Sequence, residues 1–117
     1  MGETVGRDGA LRLRIHVGEA DTWHGRPLYQ ALVELLRDRG VAGATAIRGI
    51  EGYGASSRIH TTRLLRLSED LPVVVEAVDE AGVIRPLIEE IGSMVAGGLV
   101  TLEPVEIVLR KAKPPRA

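Results

Sequence analysis

The sequence contains no cysteine, and one tryptophan and two tyrosines are the only aromatic residues among its 117. The missing cysteine excludes disulfide bonds, thiolate zinc sites and cysteine nucleophiles. Three aromatic side chains offer little surface for stacking on successive bases. A formal net charge of -1 also provides no overall basic field for nucleic acid or for an anionic membrane. The composition therefore argues against nucleic-acid binding.

Long apolar runs are also missing, and no stretch approaches the length of a transmembrane helix. Residues 1–9 are polar and lack the apolar segment of a signal peptide. We therefore expect a cytoplasmic protein that does not insert into membranes. A chain of 117 residues, with 44% hydrophobic and 26% charged residues, suits one globular domain around one core.

The first element that periodicity predicts is a strand over residues 11–17, after a loose tail at residues 1–10. Aliphatic residues alternate there with Arg12, Arg14 and His16. Such strict alternation is typical of a strand with one apolar face against a core and one polar face.

The first helix is predicted from about Pro27 to Arg39. Proline suits the first turn of a helix, and Gly40 suits the position after the last turn. One apolar stripe recurs at helical spacing: Leu28, Ala31, Leu32, Leu35 and Leu36. The polar connection before this helix is expected to be a surface loop anchored by Trp23.

Three strands are predicted next. A short, partly β-branched strand covers residues 44–50, and a return strand covers residues 63–67 before a turn that contains Pro72. Residues 73–78 are apolar at successive positions, so we expect both faces of that strand to be covered.

A second helix is predicted to start at Asp79 and Glu80, where the helix dipole favours acidic side chains. Pro86 fits this helix only if it lies in the first turn. The glycine pair at residues 97–98 is expected to end the helix and open a short loop.

The end of the chain is predicted to hold two strand segments, at residues 99–102 and 105–109, broken by Pro104. A loose tail covers residues 111–117. The complete order, β-α-β followed by a loop and β-α-β, is that of an α+β, ferredoxin-like sandwich with two helices on one face of an antiparallel sheet. The other face would be bare in a monomer, so we expect subunits to associate.

The run at residues 48–62 has three glycines and two serines beside positive side chains. Gly52 and Gly54 allow a ligand to approach the main chain closely, and Arg58 offers the paired donors that phosphate favours. This pattern is typical of an anion-binding loop. A solvated hairpin loop, in which glycine and serine form turns, is the simpler interpretation.

Several motifs occur in an order that is similar to the PII signalling proteins. They are Gly-Val-Ala-Gly-Ala-Thr at residues 40–45, Gly-Tyr-Gly at residues 52–54 and Leu-Pro-Val-Val-Val-Glu at residues 71–76. The longer run Gly-Tyr-Gly-Ala-Ser-Ser-Arg-Ile-His at residues 52–60, with Leu-Ser-Glu-Asp-Leu-Pro at residues 67–72, most resembles the PII-like branch called DUF190.

The resemblance covers about residues 11–109 and implies one PII-like domain over residues 11–110. It implies a homotrimer that binds adenine nucleotides in clefts between subunits. It also implies a T-loop, at about residues 51–63, that changes conformation with the nucleotide and contacts a partner protein. Membrane transporters and channels are partners of this kind, and the expected role is signalling, not catalysis.

Site residues follow from the resemblance by position. Thr45 matches a threonine that meets the adenine, Glu76 matches a glutamate of the following strand, and residues 97–99 match the phosphate-binding B-loop. The complete predicted nucleotide site is Thr45, Arg48, Gly52, Tyr53, Gly54, Ala55, Ser56, Ser57, Arg58, His60, Glu76, Gly97, Gly98 and Leu99.

The chain also departs from classical PII proteins. Its B-loop lacks their lysine, and Glu106 and Val108 stand where their paired arginines would lie. Fewer cations compensate less phosphate charge, so we expect AMP or ADP to be preferred to ATP. Arg48, Arg58 and His60 are the replacement candidates for phosphate contact.

Two other functions remain open from the sequence. A trimeric metal-tolerance protein like CutA would share the fold, but the scattered histidines form no metal-binding motif, and no metal is expected. A small hydrolase would use Ser56 or Ser57 with His60, although no acid or oxyanion hole is specified. Structural roles are also open for Thr45 as a β-former and for Glu76 as the partner of an arginine.

Overall fold

The computed structural model of the chain describes residues 9–54, 60–61 and 70–112. Within these ranges, eight strands and three α-helices follow one another along the chain. They are β1 (Ala10–Gly18), β2 (Thr22–Trp23), β3 (Arg26–Pro27), α1 (Leu28–Asp38), β4 (Ala44–Arg48), β5 (Glu51–Gly52), β6 (His60–Thr61), β7 (Pro72–Glu80), α2 (Ala81–Ile84), α3 (Ile88–Met94) and β8 (Leu99–Val105).

Four strands form the main sheet in the order β4-β7-β1-β8, and every neighbouring pair is antiparallel. This order is that of the ferredoxin-like fold, in which the strand of one half is inserted between the two strands of the other. The predicted α+β architecture, an antiparallel sheet with helices on one face, is therefore confirmed.

The core lies between the helices and one face of the sheet. Alternate residues of β1 and β7, including Leu13, Ile15 and Val75, are fully buried there. The five stripe residues predicted for α1 are all buried as well: Leu28, Ala31, Leu32, Leu35 and Leu36. Pro27 lies just before the helix, and α1 begins at Leu28. Hydrophobic periodicity thus identified both the helix and its packed face.

The opposite face of the sheet carries no helix of the described residues. The β7 side chains on this face are half-buried, while those on the core face are buried. Burial therefore alternates along β7, although both faces of this strand were expected to be covered. Arg14 on β1 donates to the Glu76 carboxylate on β7 at 2.8 Å, and Arg12 pairs with Glu103 on β8. Polar pairs therefore occupy much of this face, and its covering by neighbouring subunits stays a prediction.

The predicted start of the second helix is confirmed for Glu80, which is the N-cap residue of α2, and is wrong for Asp79. Asp79 and Glu80 end β7, and the helix begins at Ala81. The Asp79 side chain is buried and accepts hydrogen bonds from the Ala42 and Glu80 N–H groups at 3.0 and 2.8 Å and from Arg110 at 3.2 Å. Those partners compensate the buried charge, whereas the helix dipole would do so at an exposed N-terminus.

Proline acts differently from the prediction in two elements. Pro86 lies beyond the first turn, where the backbone tightens into a 3-10 turn between α2 and α3. Pro104 does not break its strand, because β8 is a single edge strand through Val105 and an edge tolerates a missing N–H. The second predicted strand, at residues 105–109, does not form within the described chain.

Three smaller differences concern connections. The connection expected to be a loop before α1 contains the β2–β3 hairpin, whose turn residues His24 and Gly25 have φ values of 51° and 77°. β4 ends at Arg48, and α3 ends at Met94, before the predicted glycine stop. The return strand predicted at residues 63–67 lies outside the described residues.

Candidate functional site

One end of the sheet gathers the connections that the sequence singled out. The register aligns Gly18 with Pro72, His16 with Leu99 and Arg48 with Val73. The end of β1, the end of β4, the start of β7 and the start of β8 therefore lie together. The turn after β1, the glycine run after β4 and the loop before β8 all emerge at this end.

A cavity of about 640 Å³ lies among these connections. Its lining residues come from all three of them and from the adjoining strand and helix ends: His16, Val17, Gly18, Asp21, Thr22, Leu28, Gly52, Tyr53, Gly54, Asp70, Pro72, Met94, Ala96, Gly97, Gly98 and Leu99. Two predicted segments, residues 52–54 and 97–99, thus line one space although they are more than forty positions apart. Its size is that of a small-molecule site.

Gly98 is required by the way the loop before β8 packs on β1. Its φ is +157°, and a Cβ built on it would lie 2.3 Å from the carbonyl oxygen of His16. Gly54 differs, because a Cβ there would meet no atom of the described residues within 4 Å. The first glycine serves the fold, and the second lines the cavity without such a packing constraint.

The remaining predicted residues on the sheet lie outside the cavity lining. Thr45 is exposed on β4 and stands opposite Glu76, which binds Arg14. This hydrogen bond raises the pKa of the Arg14 guanidinium above its ordinary value, and desolvation opposes the rise. Glu76 therefore has the structural partner that a half-buried carboxylate on a strand needs.

Of the residues predicted to contact phosphate, Arg48 has a described side chain, whereas Arg58 and His60 do not. Arg48 is 61% exposed, forms an ion pair with Glu19 and does not line the cavity. The backbone of His60 in β6 pairs with Gly52, but its side chain is outside the described part. Four further predicted residues also lie outside the described residues: Ala55, Ser56, Ser57 and Arg58.

Sequence reasoning missed several cavity residues, above all His16, Asp21 and Asp70. The Asp70 carboxylate accepts a hydrogen bond from the Ala20 N–H at 2.7 Å, and Asp21 accepts one from the Gly18 N–H at 2.9 Å. Both acids therefore hold the turn after β1 while they line the cavity. No local pattern marks Asp70, because its partner lies 50 positions away, whereas the partner of Asp21 lies only three positions away.

The described ranges contain neither a metal-binding cluster nor a membrane-spanning helix. No group of three or more histidine, cysteine or acidic side chains there could hold a metal ion. His24 is stacked on Trp23 with ring centroids 3.9 Å apart, as part of the hairpin. No described helix is long and apolar enough to cross a bilayer.

Comparison with protein families gives one match that spans nearly the whole described chain. The model of the family DUF190, described as "Uncharacterized ACR", matches residues 10–107. A UPF0166 protein of Aquifex aeolicus is 43% identical over 96 residues, which are 82% of this chain and 90% of the relative. A UPF0166 protein of Methanocaldococcus jannaschii is 37% identical over 67 residues, 57% of this chain and 61% of the relative.

Two solved structures of CPII from Thiomonas intermedia K12 are similar in fold. One, bound to ADP and bicarbonate, has a TM-score of 0.62 and 21% identity. The other, a nitrogen regulatory PII-like protein bound to ADP, AMP and bicarbonate, has a TM-score of 0.59 and 20% identity. Each match covers 84% of this chain and 87% of the CPII chain.

Proposed function

The chain belongs to the PII-like DUF190 family, and from that premise we propose that it is a regulatory protein that binds an adenine nucleotide at the cavity. One observation carries this proposal: residues 52–54 and 97–99, which resemble parts of a T-loop and a B-loop, line the same space. Glycine-rich loops can offer backbone N–H groups to phosphate oxygens. The ADP and AMP of the CPII structures support the choice of ligand class.

Assembly as a homotrimer is part of the proposal. The helix-free face of the sheet carries half-buried Val74 and Val78. On the same face, Ile47 opposite Val74 and Leu99 opposite His16 are 49% and 56% exposed. Apolar groups of this kind are removed from water when copies of a chain pack together. In a trimer the nucleotide would lie near the boundary between subunits, where Thr45 and Glu76 remain candidates for contact.

Regulation is proposed to act through the T-loop at residues 51–63. Nucleotide binding shifts that loop only if its conformations differ in affinity for the nucleotide. The loop then presents a different surface to a partner, for which a membrane transporter or channel is our candidate. Arg58 and His60 in this loop are proposed to contact phosphate, and the protein is proposed to act in the cytoplasm without catalysing a reaction.

The first test is calorimetric titration of the purified protein with AMP, ADP, ATP and cyclic AMP, with the mass in solution measured by light scattering. Bicarbonate is added to the series because it accompanies the nucleotides in both CPII structures. We expect saturable nucleotide binding at one site per subunit of a trimer. A protein that binds none of these nucleotides would contradict the proposed function.

Gly54→Val tests whether the cavity is the site. No described atom lies within 4 Å of a Cβ at Gly54, so we expect the variant to fold and its valine to obstruct the cavity, with at least a tenfold loss of AMP affinity. Gly43→Val is the matched control, because Gly43 is equally open and does not line the cavity. Equal affinities for the two variants would place the nucleotide elsewhere.

A further inference from the structure

The charge of the cavity lining is opposite to what a polyphosphate site requires. Two aspartates, Asp21 and Asp70, line the cavity, and no lysine or arginine of the described ranges does so. A polyphosphate gains affinity from nearby cations and loses it beside fixed anions. The described walls thus favour ligands with little negative charge.

Neither carboxylate can easily turn away from the cavity. Asp70 is held by the Ala20 N–H at 2.7 Å and lies so close to Gly18 that a Cβ there would be 2.6 Å from its Oδ1 atom. Asp21 is held by the Gly18 N–H at 2.9 Å. Rotation of either side chain would remove the hydrogen-bond partner of a backbone N–H in this turn.

Three described arginines that lie close in sequence to cavity-lining residues already have carboxylate partners. Arg48 at the end of β4 pairs with Glu19, and Arg26 in the hairpin pairs with Glu34. Arg14 on the helix-free face pairs with Glu76. Each would have to give up an ion pair before it could neutralise a ligand in the cavity.

We propose that Asp21 and Asp70 set the charge selectivity of the cavity, so that it takes an adenine nucleotide with one phosphate in preference to a diphosphate or triphosphate. The inference rests on the nucleotide-binding function proposed above. It assigns to these acids a specificity that the missing B-loop lysine alone does not produce. Two fixed carboxylates repel every added phosphate, whereas a missing lysine only fails to attract it.

The test is the affinity series AMP, ADP and ATP, measured without divalent cations for the wild type, Asp70→Asn and Asp21→Asn. Asparagine keeps an oxygen that can accept the backbone N–H, so the turn should persist, and a thermal melt of each variant checks this. We expect wild-type affinity to fall from AMP to ATP. The ATP to AMP ratio of Kd should fall by about threefold to tenfold when one carboxylate is neutralised.

Glu89→Gln is the matched control, since it removes one negative charge from an exposed position of α3 that does not line the cavity. It should leave the ratio unchanged. Added salt should lower the ATP to AMP ratio of Kd in the wild type, because it screens the repulsion between the carboxylates and the phosphates. The same ratio in Asp70→Asn should change less, because one of the two carboxylates is already neutral.

Several results would overturn the inference. One is a wild type that binds ATP more tightly than AMP, which would mean that cations from other parts of the assembly dominate. Another is an ATP to AMP ratio of Kd that stays the same in both asparagine variants while AMP still binds, which would leave the proposed function intact. A third, from the same series repeated with Mg²⁺, is ATP binding that requires the metal ion and is lost in Asp70→Asn, because the carboxylates would then be metal ligands. Absence of any nucleotide binding by the wild type would instead refute the proposed function itself.

Discussion

Gly98→Ala should destabilise the protein strongly, because the new methyl group has no room. Its Cβ would lie 2.3 Å from the His16 carbonyl oxygen. Neither can rotate away, because the backbone fixes the position of the Cβ and the oxygen is itself a backbone atom. The φ of +157° adds a conformational cost that a residue with a side chain cannot avoid. Overpacking and strain together should cost about 2–5 kcal/mol in the free energy of unfolding.

Urea unfolding followed by circular dichroism measures this loss, and a thermal melt at fixed protein concentration provides an independent value. A loss of this size in a domain of about 100 residues lowers Tm by about 10–30 °C. Gly92→Ala is the control, because Gly92 lies in α3 with nothing within 4 Å of the added Cβ. That change should raise stability by about 0.5–1 kcal/mol, since alanine favours helix.

The decisive observation is that the same glycine-to-alanine change should lower the free energy of unfolding at residue 98 and raise it at residue 92. If Gly98→Ala were as stable as the wild type, within about 0.5 kcal/mol, the loop before β8 could not pack on β1 as described. The position of residues 97–99 in the cavity would then be wrong as well. If Gly98→Ala folds but loses stability as expected, its nucleotide affinity reports how far the shifted loop contributes to binding.

Two further predictions concern the acids that hold the ends of the sheet. Asp79→Ala should lower the free energy of unfolding in urea by about 3 kcal/mol, because it removes a buried carboxylate from two backbone N–H groups and from Arg110. The control Asp38→Ala, at an exposed position, should lower it by less than about 0.5 kcal/mol, and similar values for the two variants would contradict the described role of Asp79. Gly18→Ala should lower the free energy of unfolding by about 1–3 kcal/mol, since its Cβ would displace the Asp70 carboxylate. When Asp70→Ala is already present, adding Gly18→Ala should lower the free energy of unfolding by less. Additive losses in this double-mutant cycle would show that the two residues do not touch.

Local periodicity predicted the elements that bury a continuous apolar face. β1 and α1 were found within one or two residues of their bounds because each repeats its apolar positions at the period of its own secondary structure. The order of these elements then limited the fold to very few arrangements. The glycine segments at residues 52–54 and 97–99 were predicted from the family resemblance, and the structure brings them to one cavity.

The wrong predictions share a physical cause. Asp79 was assigned to a helix start because an exposed acidic residue is favoured there, yet its compensating partners are the Ala42 N–H and Arg110, which lie 37 and 31 positions away. Pro104 was taken as a strand break, yet β8 is at the edge of the sheet, where one missing donor is tolerated. Neither the partners nor the edge position can be recognised from neighbouring residues.

The sequence by itself determined the periodic elements, their order and the family, because these depend on side-chain patterns and motifs along the chain. Tertiary structure alone decided that two aspartates lie together among the described walls of the cavity. Asp70 reaches the Ala20 N–H only because β7 pairs with β1 in a register that aligns Pro72 with Gly18. The charge that a ligand meets depends on which distant residues the sheet brings together, and this pairing is a property of the folded chain.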